Sequence, residues 1–189
     1  MLQALPFLSI IAVVAATLLR AVAIRRRTGD RAFAFMSATG IQRIAGVSFA
    51  LSVAALVLAS ALPASGSSLA VAVLAAILAL VGCFIVIVAQ VQMGRAWRVG
   101  VRQGDAPLFV THGLFKFSRN PIFVGMILQG VAAALTANAA WAWAALTVFI
   151  GSCAVQVRVE EAHLEASFGQ HYREFRASIP RWIGIGGRA

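Results

Sequence analysis

Pro121–Val157 reads PIFVGMILQGVAAALTANAAWAWAALTVFIGSCAVQV, 37 residues without a single charge. At about 1.5 Å per residue, each half of this run reaches roughly 27 Å, which fits two short membrane spans. Thr136–Ala140 (TANAA) is the expected hairpin tip, and Trp141 and Trp143 just beyond it suit the aromatic belt of a membrane surface. A hairpin returns its far end to the level of its start. Arg119-Asn120-Pro121 and Glu160-Glu161, far apart in sequence, are therefore expected to be neighbours in space.

The rest of the composition agrees with a membrane setting. The chain has 189 residues, 61% hydrophobic and 12% charged, with mean hydropathy +0.89. A soluble domain of this size could not hide that much apolar surface. The length suits one domain, 1–189, with three N-terminal spans in 1–92 and a functional half in 93–189. Net charge is +10, carried by fifteen Arg and one Lys. The basic residues sit in the gaps between apolar runs, as cytoplasmic loops do under the positive-inside rule, so nucleic acid is not an expected partner. Cys83 and Cys153 each lie inside an apolar run without a CxxC partner and read as small buried hydrophobes. The N-terminus lacks the basic region of a cleaved signal peptide.

Five spans follow: Leu2–Ile24, Ile44–Leu62, Leu69–Gln92, and the two halves of Pro121–Val157. Pro63–Ser68 (PASGSS) is a short uncharged turn. The basic segments 25–43, 95–119 and 158–188 then fall on one side. This predicts an all-α, multi-pass integral membrane protein, its N-terminus outside and its C-terminus cytoplasmic, in a bacterial inner membrane. The tail carries an apolar stripe at Leu164, Phe168, Tyr172, Phe175 and Ile179. This predicts one amphipathic helix over Glu160–Ile179, weakened at Gly169, that closes over the preceding polar loop.

The polar ends of the hairpin hold the candidate site. Asn120 and Pro121 have a local reading, as N-cap and first residue of the fourth span. Arg119 could equally be an interfacial anchor, and Glu160 and Glu161 could pair with Arg158 or Arg119. Ionisable groups hard against a span end nevertheless point to function. His112, His163 and His171 lack metal-ligand spacing, so no metal site is expected. A ligand that uses both Arg and Glu carries both charges, and Phe115, Phe117 and Phe123 offer it an apolar slot. S-adenosylmethionine fits, as do a nucleotide or a zwitterionic lipid headgroup.

Two motifs narrow the choice. The first has Gly113, Arg119, Pro121 and Gly125 in the frame Gly-x-Tyr-x-x-x-Arg-His-Pro-x-Tyr-x-Gly. The second has Glu160, Glu161, Leu164, Phe168, Gly169, Tyr172, Pro180 and Arg181 at matching spacing. From about Gln92 to Ile183 the chain resembles the isoprenylcysteine carboxyl methyltransferase and phospholipid methyltransferase family of integral membrane enzymes. It departs from the pattern at Asn120, where His is usual, and at Phe115 and Phe123, where Tyr is usual.

The resemblance implies S-adenosylmethionine bound at the cytoplasmic face between the last two spans and the tail. The implied cofactor-binding residues are His112, Gly113, Leu114, Phe115, Arg119, Asn120, Pro121, Gly125, Glu160 and Glu161, with Arg119 and Glu160 as the catalytic pair. Trp97, Phe123 and Tyr172 would face a lipophilic acceptor that enters from the bilayer: an isoprenylcysteine-type carboxylate, a phospholipid amine or a small thiol. Two competing readings are a nicotinamide-dependent membrane reductase on a similar scaffold and a non-enzymatic membrane subunit.

Overall fold

The computed structural model describes residues 1–28, 40–94 and 110–184. Its elements are a 3₁₀ turn at Leu2–Ala4, α1 (Leu5–Thr28), α2 (Gly40–Ala61), α3 (Leu69–Met93), a 3₁₀ turn at Gly113–Lys116, α4 (Pro121–Ala137), α5 (Ala140–Phe168) and α6 (Gln170–Ser178). No strand occurs among the described residues. α1, α2, α3 and α5 are long and apolar enough to cross a membrane, and α4 is a shorter apolar helix.

The hairpin tip lies where the sequence puts it. α4 ends at Ala137, Asn138 takes the left-handed conformation (φ 45°), and its N–H closes on the Ala134 carbonyl at 2.9 Å. At the same end of the bundle, the Ala64 N–H donates to the Thr136 carbonyl (2.9 Å) and Gln3 Nε2 to Ser67 Oγ (2.8 Å). Ser68 caps α3 by accepting from the Val71 N–H at 3.3 Å. The opposite end collects Arg25, Arg43, Arg119, Arg158 and the whole of α6.

The bundle is packed the way lipid requires. Large apolar side chains such as Leu18, Leu51, Leu80, Phe84 and Val148 point outward, whereas the interior is built from Ala59, Ala79, Ala89, Ala132, Ala133, Ala134 and Ala142. Burying Leu gains little when the surroundings are hydrocarbon, so close approach of backbones over small residues drives association instead. The tightest approach is between α3 and α4: a Cβ added at Gly125 would lie 2.6 Å from the Gly82 carbonyl oxygen. α2 and α5 meet through Phe49 and Phe149, whose rings stand 5.2 Å apart. α1 is held by polar contacts, Gln90 Nε2 to Thr17 Oγ1 at 2.8 Å and Gln129 Nε2 to Ser9 Oγ at 3.2 Å. Each such bond contributes about 0.6 kcal/mol inside a membrane.

One expectation is corrected. Residues 160–168 do not start a separate amphipathic helix; they continue α5, which runs unbroken for 29 residues. The break comes at Gly169 (φ 53°), a conformation that glycine adopts without penalty, and α6 then turns away. With 17 residues in α4, α5 reaches roughly 18 Å further along its axis. That extension, Arg158–Phe168, is polar and carries Glu160 and Glu161 beyond the apolar part of the bundle. The stripe itself is covered: Tyr172 is buried, and Leu164, Phe168, Phe175 and Ile179 are half-buried.

Candidate functional site

Glu161 is the centre of the polar end. One of its oxygens, Oε1, accepts from Arg119 Nε (3.1 Å) and Nη2 (2.8 Å). Arg181 Nε donates to both oxygens at 3.1 Å, and its Nη2 donates to Oε2 at 2.7 Å. The Arg119 and Glu161 side chains are only 8% and 7% exposed, whereas Arg181 is 39% exposed. A lone carboxylate could not be buried there; two guanidiniums supply the charge and the donors that burial requires. The remaining bonded nitrogen of Arg119, Nη1, donates to the Arg176 carbonyl at 2.7 Å. Arg176 in turn reaches Glu165 at 2.6 Å.

This cluster joins the start of α4, the end of α5 and the segment after α6. The Arg119 N–H donates to the Pro180 carbonyl (3.0 Å) and the Gly184 N–H to the Phe117 carbonyl (3.1 Å), so residues 180–184 run beside 117–120 in a short ladder. Asn120 occupies the cap position of α4 but makes no capping bond; its Nδ2 donates instead to the Arg181 carbonyl at 3.1 Å. The segment that pairs with Phe117–Asn120 is Pro180–Gly184, beyond the helix expected over Glu160–Ile179, and residues 95–109 of the loop lie outside the described residues.

Electrostatics follow the geometry. Hydrogen bonding to Glu161 raises the Arg181 guanidinium above its ordinary value. Burial, with the negative charge of Glu161 added, pushes the Tyr172 phenol up to about 12, so Tyr172 stays neutral. Glu160 is half-buried beside Glu161, and its carboxylate makes no hydrogen bond to a described residue. The neighbouring glutamates differ because successive helical residues point about 100° apart.

The other sequence-derived candidates divide. Gly113 (φ 63°) packs on the Gln92 side chain, whose Oε1 accepts from the Leu114 N–H at 2.8 Å. This bond fixes the His112–Lys116 turn to the end of α3. Phe115 is buried, Leu114 is half-buried and His112 is exposed. Pro121 is buried at the first turn of α4. Gly125 lies against α3, and Phe123 packs on the core cluster that contains Phe149 and Cys153. Tyr172 is buried next to Phe175, with ring centroids 6.3 Å apart. Trp97 lies outside the described residues. Sequence reasoning gave no site role to Arg181 or Gln92. Arg181 had a signal, since it closes the second motif; Gln92 had none, because its role depends on a contact between the end of α3 and Gly113.

Among the described residues no group of three His, Cys, Asp or Glu stands together to hold a metal. A family model described as phospholipid methyltransferase matches residues 70–171, from α3 into α6. No curated protein and no solved structure matches the chain.

Proposed function

Because the chain belongs to the phospholipid methyltransferase family, we propose that this multi-pass membrane protein transfers a methyl group from S-adenosylmethionine to a lipophilic acceptor. The observation that carries the reading is the Arg119–Glu161–Arg181 cluster. It places both signs of charge at the end of the bundle that also carries Phe115, Tyr172 and Phe175.

The residues present fit such a cofactor. Its amino-acid group needs a cation and an anion with charge and bonding capacity to spare, and two guanidiniums against the one Glu161 carboxylate leave the cluster one positive charge in excess. Arg181 supplies the first: Nη1 of its partly exposed guanidinium makes no bond to a described residue. Glu160 supplies the second. Arg119 and Glu161 act beneath them, holding Arg181 and the α5 end in place. The turn His112–Phe115, with Asn120 and Pro121, completes the wall, and the half-buried Leu114 and buried Phe115 offer apolar contact for an adenine.

S-adenosylmethionine, when bound, supplies a methyl on a sulfonium, which is already a good leaving group. The protein then needs to position the reactants and exclude water more than to move protons. Carboxylate and thiolate acceptors require no base. An amine acceptor must arrive unprotonated, and Glu160 is the group placed to take its proton. The C-terminal side of the bundle, with its arginines, faces the cytoplasm, and the acceptor is a lipid or a small lipophile from the bilayer.

Calorimetry on the purified full chain tests this. S-adenosylhomocysteine should bind, and Arg181→Ala or Glu160→Gln should weaken it by roughly 10- to 100-fold. Binding of NADPH instead, or of neither ligand, would overturn the reading.

A further inference from the structure

Trp182 stands next to Arg181 in sequence but faces a different part of the molecule. Its indole packs on the apolar core cluster that contains Phe149 and Cys153, a cluster against which Phe123 and Met126 of α4 and Phe49 of α2 also pack. It remains half-buried. The backbone that carries it is fixed on both sides: Arg119 N–H to Pro180 O (3.0 Å), Asn120 Nδ2 to Arg181 O (3.1 Å) and Gly184 N–H to Phe117 O (3.1 Å). A rigid two-residue step thus joins the ionic cluster to the helix interior.

An indole is an expensive choice for a plain anchor here. The flanking Ile183 and Phe117 are 70% and 57% exposed and already offer apolar surface to a membrane interface. Trp182 turns inward, at the level where the polar end gives way to the bundle. A lipophilic acceptor must lie across that same boundary, its reacting group among the charges and its chain among apolar side chains. We propose that Trp182 selects the acceptor, its indole contacting the acceptor's apolar chain beside the core cluster on which it packs. This rests on the methyltransferase reading for the identity of the site, not for the contact itself.

The test uses the full chain in phosphatidylcholine nanodiscs with Trp97, Trp141 and Trp143 changed to Phe, so that Trp182 is the only indole. 12-Bromododecanoate is titrated and Trp182 emission is recorded, with 4-bromobutanoate as the short-chain control. Saturable quenching at one long-chain probe per protein, with none from the short chain, is the expected result. In calorimetry on otherwise wild-type protein, Trp182→Ala should weaken the long-chain probe roughly tenfold and Trp182→Phe should restore most of that loss. Both variants should hold S-adenosylhomocysteine within twofold of wild type. Quenching that rises linearly with the probe's share of the bilayer means that Trp182 merely touches lipid, and it overturns the proposal. So does an absence of quenching, or an equal loss of probe and S-adenosylhomocysteine in Trp182→Ala. Homocysteine-ligand binding without saturable quenching sinks this inference alone; failure of that ligand to bind wild type sinks the methyltransferase reading separately.

Discussion

Glu161→Gln keeps the shape of the side chain and removes its charge. The carboxylate now takes five donor contacts at 2.7–3.1 Å from two guanidiniums. A glutamine offers one acceptor oxygen and turns an amide donor toward the other guanidinium, so at least one Arg loses its acceptor. Arg119, 8% exposed, is then a buried cation without a counter-charge. Breaking a buried pair in this way costs about 3–5 kcal/mol. The part due to Arg181, at 39% exposure, is screened by solvent and contributes about 0–1 kcal/mol. For a chain of this size, the loss corresponds to a Tm drop of roughly 6–20 °C. Glu160→Gln is the control. Its carboxylate makes no hydrogen bond to a described residue, and burial beside Glu161 pushes it up to about 7, so its charge opposes folding at neutral pH and its removal should leave the Tm unchanged or higher. Thermal unfolding of wild type and both variants in one detergent decides the matter. Equal Tm values for all three would show that the cluster does not hold the tail, and the division of labour between the two glutamates would fall with it.

Gly125→Ala should cost about 1–3 kcal/mol, because its new Cβ would press on the Gly82 carbonyl at 2.6 Å; a melt no lower than wild type would contradict the packing of α3 on α4. Gly113→Ala combines a positive φ with a clash against Gln92, so it should release the Leu114 contact and weaken S-adenosylhomocysteine in calorimetry. Cysteines at Ser65 and His171 should label from opposite faces of a sealed membrane, since the two positions lie at opposite ends of the bundle; labelling from one face would contradict the topology. Removal of residues 180–189 should free Arg119 and Asn120 from their backbone partners and abolish S-adenosylhomocysteine binding while the spans stay inserted; unchanged affinity would exclude the tail from the site.

The spans were legible in the sequence because a bilayer imposes one length and one polarity on anything that crosses it. The uncharged run Pro121–Val157, the turn residues at Thr136–Ala140 and the arginines between runs each answer to that single constraint. The return of the glutamates to Arg119 follows from the same hairpin. What a sequence leaves open is direction around a helix and contact between distant segments. Glu160 and Glu161 are equal as letters, and only the rotation of α5 buries one against two arginines while leaving the other half-buried without a hydrogen bond to a described residue. Gly125 matches a motif position, yet its place in the packing is set by the Gly82 backbone opposite. Asn120 has the chemistry of a cap, but the nearby Arg181 carbonyl takes its amide. Arg181 and Trp182 acquire their parts because Pro180–Gly184 folds back along 117–120, a pairing of backbone groups more than sixty residues apart that no local propensity encodes.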